Sequence, residues 1–365
     1  MTETTNEADG LVAVAMSGGV DSSVAALLVQ RAGLAAVGLT MRLWAHEGGE
    51  VSDRTCCTVD AAIDARRVCT RLGIPHYALD FSETFLRQVV DPFVSEYLQG
   101  RTPNPCVRCN TFLKWDALWE RAAAVGATRM ATGHYARICQ MEGEWRLLRG
   151  DDPAKDQSYF LWGIPRALLA RTLFPLGDIE KTDTRQLAEE AQLPTAKKGE
   201  SQDICFVPGG DYREVVRARA GEGAALLRPG PITGPGGKVL GTHEGLAGYT
   251  IGQRRGVKVA WSEPLYVVGI DVEANALRLG TGGELSCHRL VLQEENWLLD
   301  DPGSLDGLTV QVRYRGAPVP CRLRQDMTGT VIDLLEPTSR PAAGQSMVVY
   351  QGARVLGGGV LKDAE

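Results

Sequence analysis

The sequence predicts an α/β chain: a doubly wound parallel sheet, then a small central domain and a C-terminal β-barrel. Three observations carry that prediction. Short apolar runs alternate with helical periods over the N-terminal part, the pattern of a parallel sheet wrapped by helices. The first run, Leu11 to Met16, passes through a glycine- and serine-rich turn into an apolar helix. From Leu290 onward short strand-like runs alternate with turns and no helical period interrupts them. The boundaries read as a disordered tail over 1–10, the sheet domain over 11–208, the central domain over 209–280 and the barrel over 281–365.

A chain of 365 residues has room for two or three cores. The net charge of −6 argues against a protein coated in nucleic acid but leaves room for a local basic face. No apolar run reaches the roughly eighteen residues of a membrane span. The polar, acidic start MTETTNEADG has neither the basic end nor the apolar centre of a signal peptide, so a cytoplasmic protein is expected. Nine cysteines in a chain of this size are not a disulfide framework, and a reducing compartment fits them.

Taken in order, residues 11–30 supply the first strand and helix, with the helix read from Val24. Ala35–Leu43 is a second strand, and its end, Thr40-Met41-Arg42, falls at the carboxyl edge where open α/β sheets bind ligands. Thr58–Leu72 is helical and Gly73-Ile74-Pro75 ends it. His76–Asp80 is a third strand, and a helix opened by Ser82 and Glu83 runs to about Leu98. Gly100–Pro105, with two prolines, is a loop. Asn110–Ala124 is a helix, Arg129–Thr132 a fourth strand, and Ile164–Ala170 and Thr184–Ala191 are helical. Arg228–Gly241 is dense in Gly and Pro. Strands follow at Leu265–Asp271 and Ala276–Leu279, then five in the barrel: Leu308–Tyr314, Val319–Gln325, Gly329–Leu335, Gln345–Tyr350 and Ala353–Val360.

Ser17-Gly18-Gly19-Val20-Asp21-Ser22-Ser23 has the makings of a phosphate cradle. Glycines let backbone N–H groups approach, the helix dipole favours an anion, and Ser17, Ser22 and Ser23 add donors. It is neither a Walker loop nor a dinucleotide fingerprint. Asp21 reads as a helix N-cap or first-turn acid, and also as a ligand for Mg²⁺ on the phosphates. Cys106 and Cys109 form a C-x-x-C in a loop entering a helix, where Arg108 favours a thiolate; Cys205 lies in another loop. Two readings stand side by side. Cys106, Cys109 and Cys205 would hold a [4Fe–4S] cluster with one iron open, or Cys109 and Cys205 would handle sulfur as persulfide and disulfide. Cys56, Cys57, Cys69, Cys139, Cys287 and Cys321 are by default small apolar residues. His134, after Gly133 at a strand's end, reads as a neighbour of the nucleotide or acceptor. Lys155-Asp156-Gln157 on composition alone is a solvated turn. Basic residues sit in loops, among them Arg101, Lys114, Lys198, Arg254, Arg255, Lys258 and Arg313. If they converge on one face they follow an RNA backbone.

Together these strings resemble one family, the tRNA-specific 2-thiouridylases of the PP-loop ATP pyrophosphatase superfamily. The matching strings are AMSGGVDSSVAA, DARRVCTRLGIP, GRTPNPCVRCN, ATGHYAR, KDQSYFLW, SQDICF, TIGQRRG, EPLYVV and VRYRG. The resemblance implies an enzyme that uses Mg-ATP to replace the wobble-uridine O2 of tRNA with sulfur from a sulfur donor. It implies that Ala15, Met16, Ser17, Gly18, Gly19, Val20, Asp21, Ser22, Met41 and Gly133 contact ATP. It makes Cys109 the nucleophile and Cys205 the persulfide carrier. Asn104, Pro105 and Cys106 would lie beside the target base, with His134, Lys155, Asp156, Gln157, Arg313, Tyr314 and Gln345 on tRNA. Cys106 departs from the pattern, because many members carry Asp there; the change removes a candidate base and adds the third thiol a cluster needs, so the resemblance favours the cluster route for this chain over the persulfide route. The rival reading is a PP-loop synthetase acting on a small molecule, which leaves Cys109 and Cys205 without a use.

Overall fold

The structure, a computed structural model, describes residues 10–43, 59–199, 204–221, 224–327 and 329–365. Two compact units divide them. One takes in the chain up to Gln88, Arg108–Gly210 and Ala353–Val355; the other takes Val89–Val107, Asp211–Gly352 and Leu356–Glu365.

The first unit is built on a parallel sheet. Its early elements are β1 (Leu11–Ala15), α1 (Val20–Arg31), β2 (Ala36–Arg42), α2 (Val59–Leu72) and β3 (His76–Asp80). A helical run follows through α3 (Ser82–Phe85) and a π-helical segment Leu86–Val90, and continues in the second unit as α4 (Asp91–Tyr97). A second run starts in the second unit with α5 (Pro105–Arg108) and continues in the first through a π-helical stretch Cys109–Leu118 and α6 (Trp119–Ala124) to β4 (Ala127–Ala131). A hairpin, β5 (Ala136–Met141) and β6 (Glu144–Arg149), precedes β7 (Thr172–Leu173) and α7 (Lys181–Glu190). The sheet order is β3-β2-β1-β4-β7, every pairing parallel. β1 therefore has β2 on one side and β4 on the other, so the winding reverses at its carboxyl end, where open α/β sheets bind ligands. Val12, Val14, Val24, Val68 and Leu193 are buried in the core this sheet shares with its helices. Each such side chain contributes about 1.5–3 kcal/mol by leaving water.

Several expectations are corrected. α1 starts at Val20 rather than Val24, because Gly19 in extended conformation is its N-cap and no side chain caps it. The 100–105 loop ends earlier than read, since Pro105 opens α5 and the Asn104 Oδ1 accepts the Val107 N–H at 3.4 Å. Asn as cap and Pro in the first helical position is a start signal that the two-proline reading passed over. Cys106 and Cys109 thus lie within a helix, not in a loop before it. The β5–β6 hairpin was not expected: its turn is Glu142-Gly143, both at positive φ (53° and 83°), in place of a telltale Asn-Gly. Residues 1–9, Cys56 and Cys57 lie outside the described residues.

The second unit holds α8 (Tyr212–Ala220) and the four-stranded sheet β10-β11-β8-β9, formed by β8 (Gly230–Thr233), β9 (Val239–His243), β10 (Tyr266–Asp271) and β11 (Ala276–Gly280). α4 packs on α8, with the Tyr97 and Tyr212 rings stacked at 4.4 Å. The barrel is closed and six-stranded: β12 (Ser286–Trp297), β13 (Leu308–Gln311), β14 (Val319–Asp326), β15 (Gly329–Ser339), β16 (Ser346–Gln351) and β17 (Arg354–Ala364). It runs β12-β15-β14-β13-β16-β17, and β12 pairs with β17 to close. The five expected strands omitted β12. Its register slips twice against β17 and Glu294 takes φ 50°, so no strict two-residue alternation marks it. No helix among the described residues is long and apolar enough to cross a membrane.

Candidate active site

The turn between β1 and α1 is held by its own hydroxyls. The Ser17 N–H donates to the Ser22 Oγ at 3.1 Å, and the Ser22 and Ser23 hydroxyls donate to the Gly19 carbonyl at 3.2 and 2.7 Å. Ser23 is fully buried and also receives the Thr195 hydroxyl at 2.9 Å, so its expected role as a phosphate donor gives way to holding the turn. Gly18 has φ +69°, and a Cβ there would lie 2.2 Å from the Ala61 carbonyl oxygen. A Cβ on Gly133 would lie 2.6 Å from the Asp21 carbonyl carbon and the Ser22 nitrogen, so the loop after β4 closes directly onto the turn. Ala15 pairs with Leu39 of β2, the strand that carries Met41, and the Met16 carbonyl accepts the buried Thr40 hydroxyl at 2.9 Å. The residues expected at ATP are thereby gathered at one sheet edge.

Asp21 is a first-turn acid and is tied into a network the sequence did not disclose. The Lys181 Nζ lies 2.5 Å from its Oδ1, and the Tyr135 hydroxyl donates to the same oxygen at 3.0 Å. Tyr135 also meets the Thr184 hydroxyl at 2.9 Å. Lys181 is buried at the start of α7, far from Asp21 in sequence, so no local motif announces it. A second cation, Lys198, donates to the Gly18 carbonyl at 3.0 Å and pairs with Asp64 at 2.8 Å.

His134 stands beside this edge. Its Nδ1 is 2.7 Å from the Thr132 hydroxyl and its Nε2 is 3.3 Å from the Lys114 Nζ. An ammonium only donates, so Nε2 accepts and Nδ1 carries the proton. Burial and the Lys114 charge hold the imidazole well below its ordinary 6.5. The ring is therefore neutral, and its Nε2 lone pair is engaged by the Lys114 ammonium. Gln157 and Asp156, expected at tRNA, are engaged within the unit. The Gln157 Oε1 accepts the Tyr135 N–H at 3.1 Å. Asp156 takes Arg149 at 2.8 Å and the Gly150 and Ser158 N–H groups at 3.1 and 3.0 Å. Lys155 donates its N–H to the Asp152 carbonyl in the same turn.

Cys109 opens the ten-residue π-helical stretch and is half-buried. Arg108 directs its Nε to the Gln88 carbonyl at 2.9 Å and lies 4.8 Å over the Phe112 ring. Cys205, also half-buried, sits in a turn whose next residue, Phe206, meets Phe85 of α3 edge-on at 5.5 Å. α3 in turn packs on the Cys109–Leu118 helix. Among the described residues no group of three or more His, Cys, Asp or Glu side chains is gathered to hold a metal ion, so the three thiols do not display a cluster's ligand set. Cys69, Cys287 and Cys321 are buried core residues, as expected; burial pushes the Cys69 and Cys321 thiols up to about 12. Trp115 is likewise core and donates to the Thr172 hydroxyl at 2.9 Å.

The remaining tRNA candidates lie in the second unit. Asn104 caps α5, Pro105 is buried and Cys106 is exposed. The Gln345 Nε2 donates to the Thr102 carbonyl at 2.8 Å. Arg313 is exposed after β13, and Tyr314 carries the Arg315 guanidinium 5.2 Å over its ring.

Three family models match in series: a tRNA methyl transferase HUP domain over 10–209, a tRNA methyl transferase PRC-barrel domain over 225–281 and an aminomethyltransferase β-barrel domain over 287–361. The chain is 44% identical over 360 residues to the tRNA-specific 2-thiouridylase MnmA of Geotalea uraniireducens, covering 97% of this chain and 95% of that one. It is 45% identical over 351 residues to the protein of the same name from Chloroflexus aggregans, covering 95% and 97%. A solved 4-thiouridine synthetase–RNA complex with bound ATP overlaps 57% of this chain and 50% of its own, at 15% identity and a TM-score of 0.36.

Proposed function

The chain belongs to the tRNA-specific 2-thiouridylase family and is a tRNA sulfurtransferase, and from that premise we propose a reaction in which ATP activates the wobble uridine and a cysteine persulfide delivers the sulfur. The observation that carries the proposal is the near full-length identity to curated 2-thiouridylases. The phosphate cradle and the Cys205 turn docked on α3 support it.

The uridine O2 attacks the α-phosphorus of ATP and pyrophosphate leaves. A carbonyl oxygen is a poor leaving group and its adenylate a good one. The backbone N–H groups around Gly18 and Gly19 take the charge that builds on the phosphates. Asp21, a carboxylate at the first turn of α1 and one-third exposed at its side chain, is the residue that would hold a magnesium ion at this turn. Such an ion, when bound, would neutralise the departing pyrophosphate. The terminal sulfur of a Cys205 persulfide attacks C2, and AMP departs with the original O2. The Cys109 thiolate then attacks the Cys205 sulfur. That bond becomes the Cys109–Cys205 disulfide, and 2-thiouridine leaves with the terminal sulfur. A thiol reductant and a sulfane-sulfur donor restore the enzyme.

The test compares metal-free protein with anaerobically cluster-reconstituted protein. Each receives unmodified tRNA, Mg-ATP and a sulfur source, and 2-thiouridine is quantified by mass spectrometry. Equal thiolation in both, lost in Cys109→Ser and in Cys205→Ser, is the expected outcome. Thiolation confined to the reconstituted sample would overturn the persulfide route. Pyrophosphate release on a small substrate with no thiolation in either would favour a synthetase.

A further inference from the structure

The second unit contains a cavity of about 370 Å³ that the reaction above does not use, between α8, β9 and the segment 249–259. Arg213, Arg217 and Lys258 supply cations to its wall, Glu244 supplies one carboxylate, and Tyr249 and Gln253 complete the polar lining. We infer that this cavity is a ribonucleotide-binding subsite that grips one phosphodiester unit of the tRNA away from the reacting base. The inference rests on the tRNA reading and adds a contact site to it.

The 249–259 part of the wall has no regular secondary structure and is held by hydrogen bonds. The Gln253 side chain accepts the Thr250 N–H at 3.0 Å and donates to the Arg255 carbonyl at 2.9 Å, which locks the turn. The Gly252 N–H donates to the Val267 carbonyl at 2.8 Å, and the Val267 N–H returns to the Gln253 carbonyl at 3.0 Å, tying the turn to β10. Lys258 has φ +55°, a backbone conformation costly for a residue with a side chain. The same segment carries the exposed Arg254 and Arg255.

The donor set matches a nucleotide unit. Arginine and lysine suit a phosphate, and a carboxylate accepts from a ribose 2′-hydroxyl, which tells RNA from DNA. A tyrosine face takes a splayed base. Charge is what must decide between cation and anion. Asp211 takes Arg213 in two contacts of 2.7 and 2.6 Å, and the Glu244 charge acts on the same guanidinium. Three cations against these two carboxylates leave the wall positive, and the two cations outside that cluster, Arg217 and Lys258, are both exposed.

The experiment measures tRNA binding by the full chain at two salt concentrations, for wild type and for Arg217→Ala with Lys258→Ala together. Both side chains are exposed, and thermal unfolding checks that the fold is kept. The expected result is tRNA binding weakened by roughly 10- to 100-fold, with the dependence of log K on log salt flattened by about 1–2 units. Binding and salt slope equal to wild type would overturn the inference. Titration with AMP and GMP separates the sources: a mononucleotide protected by Arg217 and Lys258, with tRNA binding unaffected by the substitutions, would make this a free-nucleotide site and overturn it too. If wild type neither binds nor thiolates tRNA, the proposed function fails; if it does both and the double variant binds equally well, only this subsite fails.

Discussion

At the scale of single residues, the turn between β1 and α1 depends on two glycines, Gly18 and Gly133, where a Cβ would collide with backbone. Gly18 is left-handed and faces the Ala61 carbonyl at 2.2 Å from where a Cβ would sit. Gly18→Ala is expected to cost roughly 1–2 kcal/mol from the backbone alone, and more from the collision. Thermal unfolding will show the loss, and tRNA-dependent pyrophosphate release will fall with it. Three imidazoles are held below the ordinary 6.5, chiefly by burial: His76, His134 and His243. The unfolded chain therefore takes up protons first as pH falls. Their contribution to stability is complete above 6.5 and drains away below it, toward each depressed folded value. Urea unfolding at about pH 7.5 and about pH 5.5 should show the wild type losing stability on acidification, and His134→Asn losing less. An unchanged pH slope in that variant would mean the ring is protonated as easily folded as unfolded. Glycines and cysteines at this scale were legible, because SGGVDSS and C-x-x-C are local strings. Lys181 was not: its meaning is its 2.5 Å contact with Asp21, which only folding creates.

At the scale of elements, the helix that carries Cys106 and Cys109 shows how a start signal is passed over. Asn104 caps it and Pro105 is its first residue, which moves both thiols from a loop into a helix. Asn104→Ala should cost about 1 kcal/mol and fray that first turn. The readout is thiolation falling further than pyrophosphate release, since the turn carries the cysteines and not the phosphate cradle. Equal falls in both would separate the cap from sulfur transfer. The π-helical stretch from Cys109 to Leu118 has no sequence signature, because it is set by how buried Leu113, Trp115 and Leu118 pack. The strands of the parallel sheet were legible as short apolar runs. β5, β6 and β12 were not, since mixed faces, an atypical turn and register slips hide the two-residue period.

At the scale of the whole molecule, the barrel is completed by the end of the chain. β17 pairs with β12, so ending the chain at Gly352 leaves β12 as an open edge. That truncation is expected to expose residues 286–352 to rapid proteolysis and to remove their share of the β signal in circular dichroism; a protected barrel would show that closure is dispensable. By itself the sequence determined the class of the fold, the glycine- and serine-rich turn at the first strand's end and the family, because each is written in contiguous strings or in alternating apolar runs. The tertiary structure alone decided which acid is held by which lysine, which hydroxyl is spent on its own turn, and which loop cations line a cavity. Those outcomes depend on contacts between residues distant in the chain, and no local pattern encodes the distance between two side chains.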